Sequence, residues 1–327
     1  MSRDAAIAVF LNRAGLPGVG WTGLAQDASF RRYLRLAPPH RLVVMDAPPP
    51  IEDVRPFLRV QAHLASRGIS VPGILAADPE HGFLLLEDFG DSLFPSVMTE
   101  QNLLALYDAA IDTLAALSTA PVEGLPAWDP AAMARAAAAT FLDWWWPASF
   151  GAPAPPAAQA QFHTALADML APLEAGPLGF VHRDYFAGNL FWLPDRAGIR
   201  RVGVIDFQDA ALGHPAYDLI SLVQDARRDL PAALTDHAIA RMLAARPELD
   251  GAAFAQACVI CAAQRHLRVA ALWVRLERRD GKSGYRQYAA RTWRLLHQAL
   301  AHAPAAPLRA FLDTWVPPSQ RQHPEAT

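Results

Sequence analysis

Lysine is almost missing from this chain: Lys282 is the only one among 29 basic residues. No lysine side chain is therefore available anywhere before that position. Cysteine is equally scarce, with Cys258 and Cys261 alone, which excludes a disulfide framework and fits a reducing compartment. A formal charge of −3 points to no nucleic-acid or anionic-membrane partner. No uncharged apolar run reaches the roughly 18 residues needed to cross a bilayer. The N-terminus, where Asp4 and Arg13 flank a short amphipathic run, lacks the layout of a signal peptide. Low-complexity tracts and internal repeats are absent as well. These absences predict a soluble, cytoplasmic protein without an obligate macromolecular partner.

What is present is apolar bulk and regular patterning. A chain of 327 residues with 52% apolar content is too long for one minimal core and suits two packed lobes. Residues 4–14 read as a helix, followed by strands at Gly20–Ala25, Phe30–Leu36 and Leu42–Asp46. In the second strand Phe30, Leu34 and Leu36 alternate with Arg31, Tyr33 and Arg35, as one buried face requires. Pro48, Pro49 and Pro50 break the sheet before a helix from Glu52 to Arg67, which Gly68 ends. Strands at Ile74–Ala77 and Phe83–Glu87 complete a small antiparallel lobe. Beyond Gly90 the pattern turns helical, over 100–119, 129–142, 157–171, 215–227, 232–246, 250–279 and 284–302. Short strands interrupt it near Phe180–His182, Leu190–Trp192 and Arg201–Ile205, and Pro147–Pro156 reads as a surface loop. The predicted class is α+β and bilobal, with lobes at 1–90 and 91–327 and a ligand expected in the cleft that joins them.

The strongest chemical signal is Val181-His182-Arg183-Asp184-Tyr185-Phe186-Ala187-Gly188-Asn189, followed by Gly203-Val204-Ile205-Asp206-Phe207-Gln208-Asp209. Phosphoryl transfer needs a carboxylate to orient the attacking hydroxyl and oxygen ligands for magnesium on a triphosphate. His-x-Asp with Asn five residues later supplies the carboxylate and one ligand from a single loop. An apolar strand that ends in Asp-Phe supplies the second, and magnesium prefers such hard oxygen donors. Scattered surface aspartates are the bland alternative, against which the spacing of three elements and their strand context argue.

On these residues the chain resembles the aminoglycoside phosphotransferase family, a branch of the protein-kinase-like fold, over nearly its whole length. The resemblance implies ATP and Mg2+, with Asp184 as catalytic base and Asn189 and Asp206 as metal ligands. It also implies structural support from His182 and from Asp218, which lies in Gly213-His214-Pro215-Ala216-Tyr217-Asp218-Leu219. Further segments carry a narrower resemblance: Ala28-Ser29-Phe30-Arg31-Arg32-Tyr33, Val44 to Pro50, Asp206 to Ala210, and Gln264 to Arg268 with Arg279 to Lys282. They are similar to the anomeric kinases of cell-wall recycling, which phosphorylate the C1 hydroxyl of N-acetylmuramate and N-acetylglucosamine. Leu86, Glu87 and Phe89 match the family segment whose backbone meets adenine, and Asp209 and Trp145 match its acceptor side.

Two departures from the kinase pattern stand out. Met45 occupies the third-strand position where such kinases carry a phosphate-binding lysine. Either the chain is a nucleotide-binding pseudokinase, or Arg31 or Arg32 reaches the phosphates instead, which guanidinium chemistry permits. Glu52 is the candidate helix glutamate, its alternative being an exposed helix-start acid. No glycine-rich phosphate loop is present, so the turn around Ser29, with its hydroxyl and nearby amides, is the candidate cradle; an ordinary hairpin turn is the alternative.

The acceptor is read from charge. Between Cys258 and Arg294 stand nine cations and only two acids, Glu277 and Asp280. Such a wall repels a polycationic aminoglycoside and attracts an anion. Arg265 and Arg268, at i and i+3 on one helix face, are the candidates for an acceptor carboxylate. For most of these cations a solvated helix face is the competing reading. Another hydroxylated acceptor, such as an aminoglycoside, choline or homoserine, is the rival within the family. The indoles of Trp144, Trp145 and Trp146 stack on a sugar or pack as core. Cys258 and Cys261, mid-helix and without a second pair, read as small core residues.

Overall fold

A computed structural model describes residues 2–24, 30–119 and 123–325. In chain order its strands are β1 (Trp21–Gly23), β2 (Arg32–Leu36), β3 (Leu42–Asp46), β4 (Ile74–Asp78), β5 (Phe83–Glu87), β6 (Ala127–Trp128), β7 (Gly179–Val181), β8 (Leu190–Trp192), β9 (Val202–Val204) and β10 (Ala211–Gly213). The helices are α1 (Arg3–Arg13), α2 (Arg55–Ser66), α3 (Phe94–Val97), α4 (Leu103–Ser118), α5 (Pro130–Thr140), α6 (Trp146–Phe150), α7 (Pro156–Leu170), α8 (Ala216–Val223), α9 (Ala233–Ala245), α10 (Gly251–Asp280), α11 (Ala289–Leu300) and α12 (Ala306–Trp315). They form two compact units, Met1–Thr113 with Gly188–Asp209, and Leu114–Ala187 with Ala210–Thr327.

The first unit is built on an antiparallel sheet in the order β1-β2-β3-β5-β4. One face receives α1: Ile7, Phe10 and Leu11 pack on Leu34, Leu36, Val44, Phe83 and Leu85. Ser2 caps α1 by accepting from the Ala5 amide at 3.2 Å, which satisfies one of the orphan donors of its first turn. The β8–β9 hairpin belongs to this unit because its residues have their partners there. Val204 donates to the Ser70 carbonyl at 2.8 Å, Thr113 Oγ1 donates to that of Ile199 at 3.0 Å, and Phe207 packs on Phe57 with centroids 4.7 Å apart. Gly203 is required where it stands, since a Cβ there would meet the Phe89 ring at 2.7 Å.

In the second unit the 30-residue α10 is the central helix. It packs on α5, α8 and α11, and buries Phe254, Ile260, Leu267, Trp273, Val274 and both cysteines. By length and composition α10, its arginines notwithstanding, is apolar enough to cross a bilayer, but most of its apolar window is buried within this unit. A small sheet β6-β10-β7 flanks the helices.

Several local expectations change. Phe30 lies before β2 and is 69% exposed, so the buried face of that strand is Leu34 and Leu36 alone. The proline-rich stretch is half helix: a π-helical turn at Phe141–Trp145 runs into α6, and only Gly151–Pro155 is loop. Proline at the start of α6 is tolerated because the first-turn amides have no intrahelical acceptor. Strands β6 and β10 and helices α3 and α12 are too short or too weakly patterned to stand out in the sequence.

Candidate active site

Asn189 and Asp206 are brought together by the hairpin. Leu190 pairs with Val204, Phe191 with Gly203 and Trp192 with Val202. The Ile205 amide continues the ladder to the Asn189 carbonyl at 3.1 Å, and the Asn189 carboxamide stands 3.5 Å from Asp206 Oδ2. Asp206 has φ 63°, left-handed for a residue with a side chain, and its carboxylate is exposed. Phe207 is fully buried beside it, so the backbone is pinned while the acid faces outward. Gln208, to which the sequence pattern gave no role, donates to Asp206 Oδ1 at 2.8 Å and to Asp209 Oδ2 at 3.4 Å. A carboxylate and a carboxamide at one spot are hard donors of the kind magnesium takes, so these residues fit that ion.

On the sheet of the same unit the two candidate arginines separate. Arg32 lies on the α1 face. It donates to Asp46 Oδ2 at 2.9 and 2.6 Å and to Asp4 at 3.1 Å, and Arg3 binds the other oxygen of Asp46. That network is structural and corrects the expectation that Arg32 reaches phosphate. Arg31 precedes the strand and pairs with Glu52 at 2.9 Å, both side chains being largely buried. Tyr33 shares this face with the buried Met45, its partner in register. Burial pushes the Tyr33 hydroxyl up to about 12, against the pull of Arg31 and with the push of Asp206. Arg31, Glu52, Tyr33 and Asp206 thus form one electrostatic neighbourhood. Ser29 lies outside the described residues.

The segment expected at adenine has its side chains committed elsewhere. Leu86 is buried, Glu87 binds Arg196 and accepts from the Gly73 amide at 3.3 Å, and Phe89 packs on Phe191 with centroids 5.6 Å apart. Only main-chain groups there remain suited to reading a base.

In the second unit β7 delivers His182-Arg183-Asp184, and Asp218 in the first turn of α8 holds the loop. The fully buried Asp218 carboxylate accepts from the His182 amide and, at 2.9 Å, from that of Arg183. Burial pushes Asp218 up to about 6, opposed by His182 and by those two amides. His182 Nδ1 accepts from the Asp184 amide at 3.3 Å. Arg183, at φ 73°, lays its guanidinium 4.2 Å over Trp128. Burial tends to raise Asp184, yet Arg265, Arg268, His182 and Arg183 together bring it below the ordinary carboxylate range. Asp184 is thus ionised and able to accept a proton.

The two α10 arginines differ from one another. Arg265 is buried and donates to the Arg183 carbonyl at 3.2 Å, so it supports the loop. Arg268 donates to Tyr217 Oη at 3.2 Å and is half-buried. Trp145 corrects the expectation of a sugar platform. It is 0% exposed, stacks on Phe141 at 4.7 Å and donates from Nε1 to the Gln322 carbonyl at 2.9 Å. Cys258 and Cys261 are free, buried and pushed upward by burial, inert core residues as read.

An acid-bearing loop braced from a helix, and an Asn–Asp hairpin joined to it in the chain, on a fold with a small antiparallel sheet and a larger helical part, define a kinase-like phosphotransferase. Residues 20–252 match the phosphotransferase enzyme family, and the chain belongs to it. It is a small-molecule kinase. A Caulobacter vibrioides protein named N-acetylmuramate/N-acetylglucosamine kinase is 36% identical, with 98% of each chain covered. A protein of the same name from Pseudomonas aeruginosa is 38% identical over 86% of this chain and 83% of its own. A choline/ethanolamine kinase family protein of Mesorhizobium loti shares the fold at TM-score 0.64 and 17% identity, over 96% of this chain and 100% of that one.

Proposed function

We propose that the chain transfers the γ-phosphoryl group of ATP to the anomeric hydroxyl of N-acetylmuramate and N-acetylglucosamine, in the cytoplasm, as a step of cell-wall recycling. The reading is carried by the full-length similarity to kinases of that name. The residues needed for the chemistry support it. Asp184, ionised under the field of Arg265 and Arg268, accepts the hydroxyl proton as the C1 oxygen bonds to phosphorus and ADP departs. It need not be a strong base, since a loose transition state asks mainly for alignment. Asn189 and Asp206 are the proposed ligands of Mg2+, which supplies charge neutralisation on the phosphates when bound. Arg31, steadied by Glu52, takes the phosphate contact that the absent lysine would make. The main chain of Leu86 to Phe89 reads adenine, and Asp209 faces the acceptor.

The test is direct. Incubation with ATP, magnesium and N-acetylmuramate should yield an acid-labile sugar 1-phosphate in the phosphorus NMR spectrum. Asp184→Asn should fold normally and lose about 10²- to 10⁴-fold in kcat. Preference for kanamycin over acetylated amino sugars would overturn the acceptor assignment, and undiminished turnover in the variant would remove Asp184 from its role.

A further inference from the structure

Helix α10 carries two cations whose surroundings the fold leaves incomplete. Several cations around it find carboxylates: Arg279 binds Asp280 at 2.7 Å, Arg286 lies 3.7 Å from Glu277, and Arg291 and Arg294 share Asp229. Arg268 and Arg275 are half-buried and form no ion pair with a carboxylate among the described residues. Each has a buried Nε without a hydrogen-bond acceptor in the protein. Arg268 spends one Nη on Tyr217, and Arg275 makes no hydrogen bond among the described residues.

Seven residues separate the two, which is two turns of helix on one face. Burial holds the Arg275 guanidinium below its ordinary value, with Arg279 and Arg268 adding repulsion. Tyr217 and Asp184 offset the burial of Arg268, whereas Arg275, pulled only by Asp280 and with its Nε unsatisfied, carries a cost that an anion would offset. One end of this pair lies in the field of the reacting acid, because Arg268 is among the cations that lower Asp184. Arg265, by contrast, is spent on the Arg183 carbonyl.

We propose that Arg268 and Arg275 form a carboxylate-binding subsite on α10, which selects an amino sugar with an acidic substituent over its neutral counterpart. The inference rests on the kinase reading above for the choice of sugar. N-acetylmuramate differs from N-acetylglucosamine by a lactyl ether that carries one carboxylate, a few bonds from the hydroxyl that reacts. Planar guanidinium groups suit such a carboxylate, whereas the neutral sugar offers them nothing charged. Arg275 is a specificity residue that does not touch the reacting atoms.

The experiment compares the two sugars in the wild type, Arg275→Gln and Arg275→Lys. Arg275→Gln should raise KM for N-acetylmuramate about tenfold, the weight of one charge-assisted hydrogen bond. KM for N-acetylglucosamine and kcat for both sugars should stay within about twofold of wild type. Arg275→Lys keeps the charge and should recover part of the preference, and it keeps the test available if the glutamine variant does not fold. Equal change for both sugars, or none, overturns the subsite. Calorimetric titration with each sugar in the absence of ATP separates this inference from the kinase reading. Tighter binding of N-acetylmuramate that is lost in Arg275→Gln, without turnover of either sugar, would sustain the subsite and sink the kinase assignment.

Discussion

Asn189 and Asp206 face one another because two short strands pair, whereas Asp184 is held by groups that arrive from far along the chain. The hairpin needs only 22 residues, Gly188 to Asp209, and its acid is exposed. The Asp184 loop depends on Asp218 from α8 and Arg265 from α10, both buried. A site built locally can lose its functional side chain at little structural expense. A loop braced from a distance cannot, because each brace also satisfies buried main-chain groups.

The largest expected effects test that contrast. Asp206→Ala should lower kcat/KM by about a thousandfold and abolish the thermal shift produced by ATP with magnesium, at unchanged melting temperature. Asp218→Ala should lose activity and also destabilise the chain by roughly 2–4 kcal/mol, because two buried amides lose their acceptor. Chemical denaturation reads the difference. An Asp218 variant as stable as wild type would break the comparison.

A smaller effect sharpens it within the first unit. Arg31→Ala should raise KM for ATP and reduce kcat/KM about ten- to hundredfold, with a further loss of roughly 1–3 kcal/mol in stability as the largely buried Glu52 loses its partner. Arg32→Ala should leave kinetics within about twofold, with a loss of about 1–2 kcal/mol as buried Asp46 is left to Arg3. Equal kinetic loss in both variants would mean that the two arginines share one role.

The last effect concerns acid. Burial holds His214 down to about 4 and His266 down to about 3, from an ordinary value of 6.5. Both are neutral in the fold, so the stability they allow is present above pH 6.5 and lost as pH falls below it. Asp218 has the opposite sign, since its folded value of about 6 favours the folded state in acid and that contribution fades as pH rises through 6. At about 1.4 kcal/mol per unit and group, the two histidines outweigh the one acid. A net loss of about 2–3 kcal/mol between pH 6.5 and 5 is expected for the second unit. Urea denaturation at the two pH values measures it, and His266→Gln should shrink the difference.

Much of this was legible in the chain. Leu42–Asp46 and Phe83–Glu87 were read with their observed bounds because a short apolar run between breakers marks a strand without reference to anything distant. Asp184, Asn189 and Asp206 were legible because the chemistry fixes their spacing along the chain. Phe30 was misread and Trp145 stood open between sugar platform and core, because an apolar side chain does not announce whether it meets solvent, ligand or core. The short strands β6 and β10 acquire their partners only in the folded sheet.

Residue type and spacing thus determined by themselves the class of fold, the acid loop and the Asn–Asp hairpin, since backbone periodicity and reaction chemistry are local demands. Which arginine pairs with Glu52, which one holds the loop and which of those on α10 keep a buried Nε without an acceptor were decided only by tertiary structure. The reason is physical: a guanidinium reads the same at every position in a sequence, and its role is set by the carboxylates, rings and carbonyls that folding brings within reach.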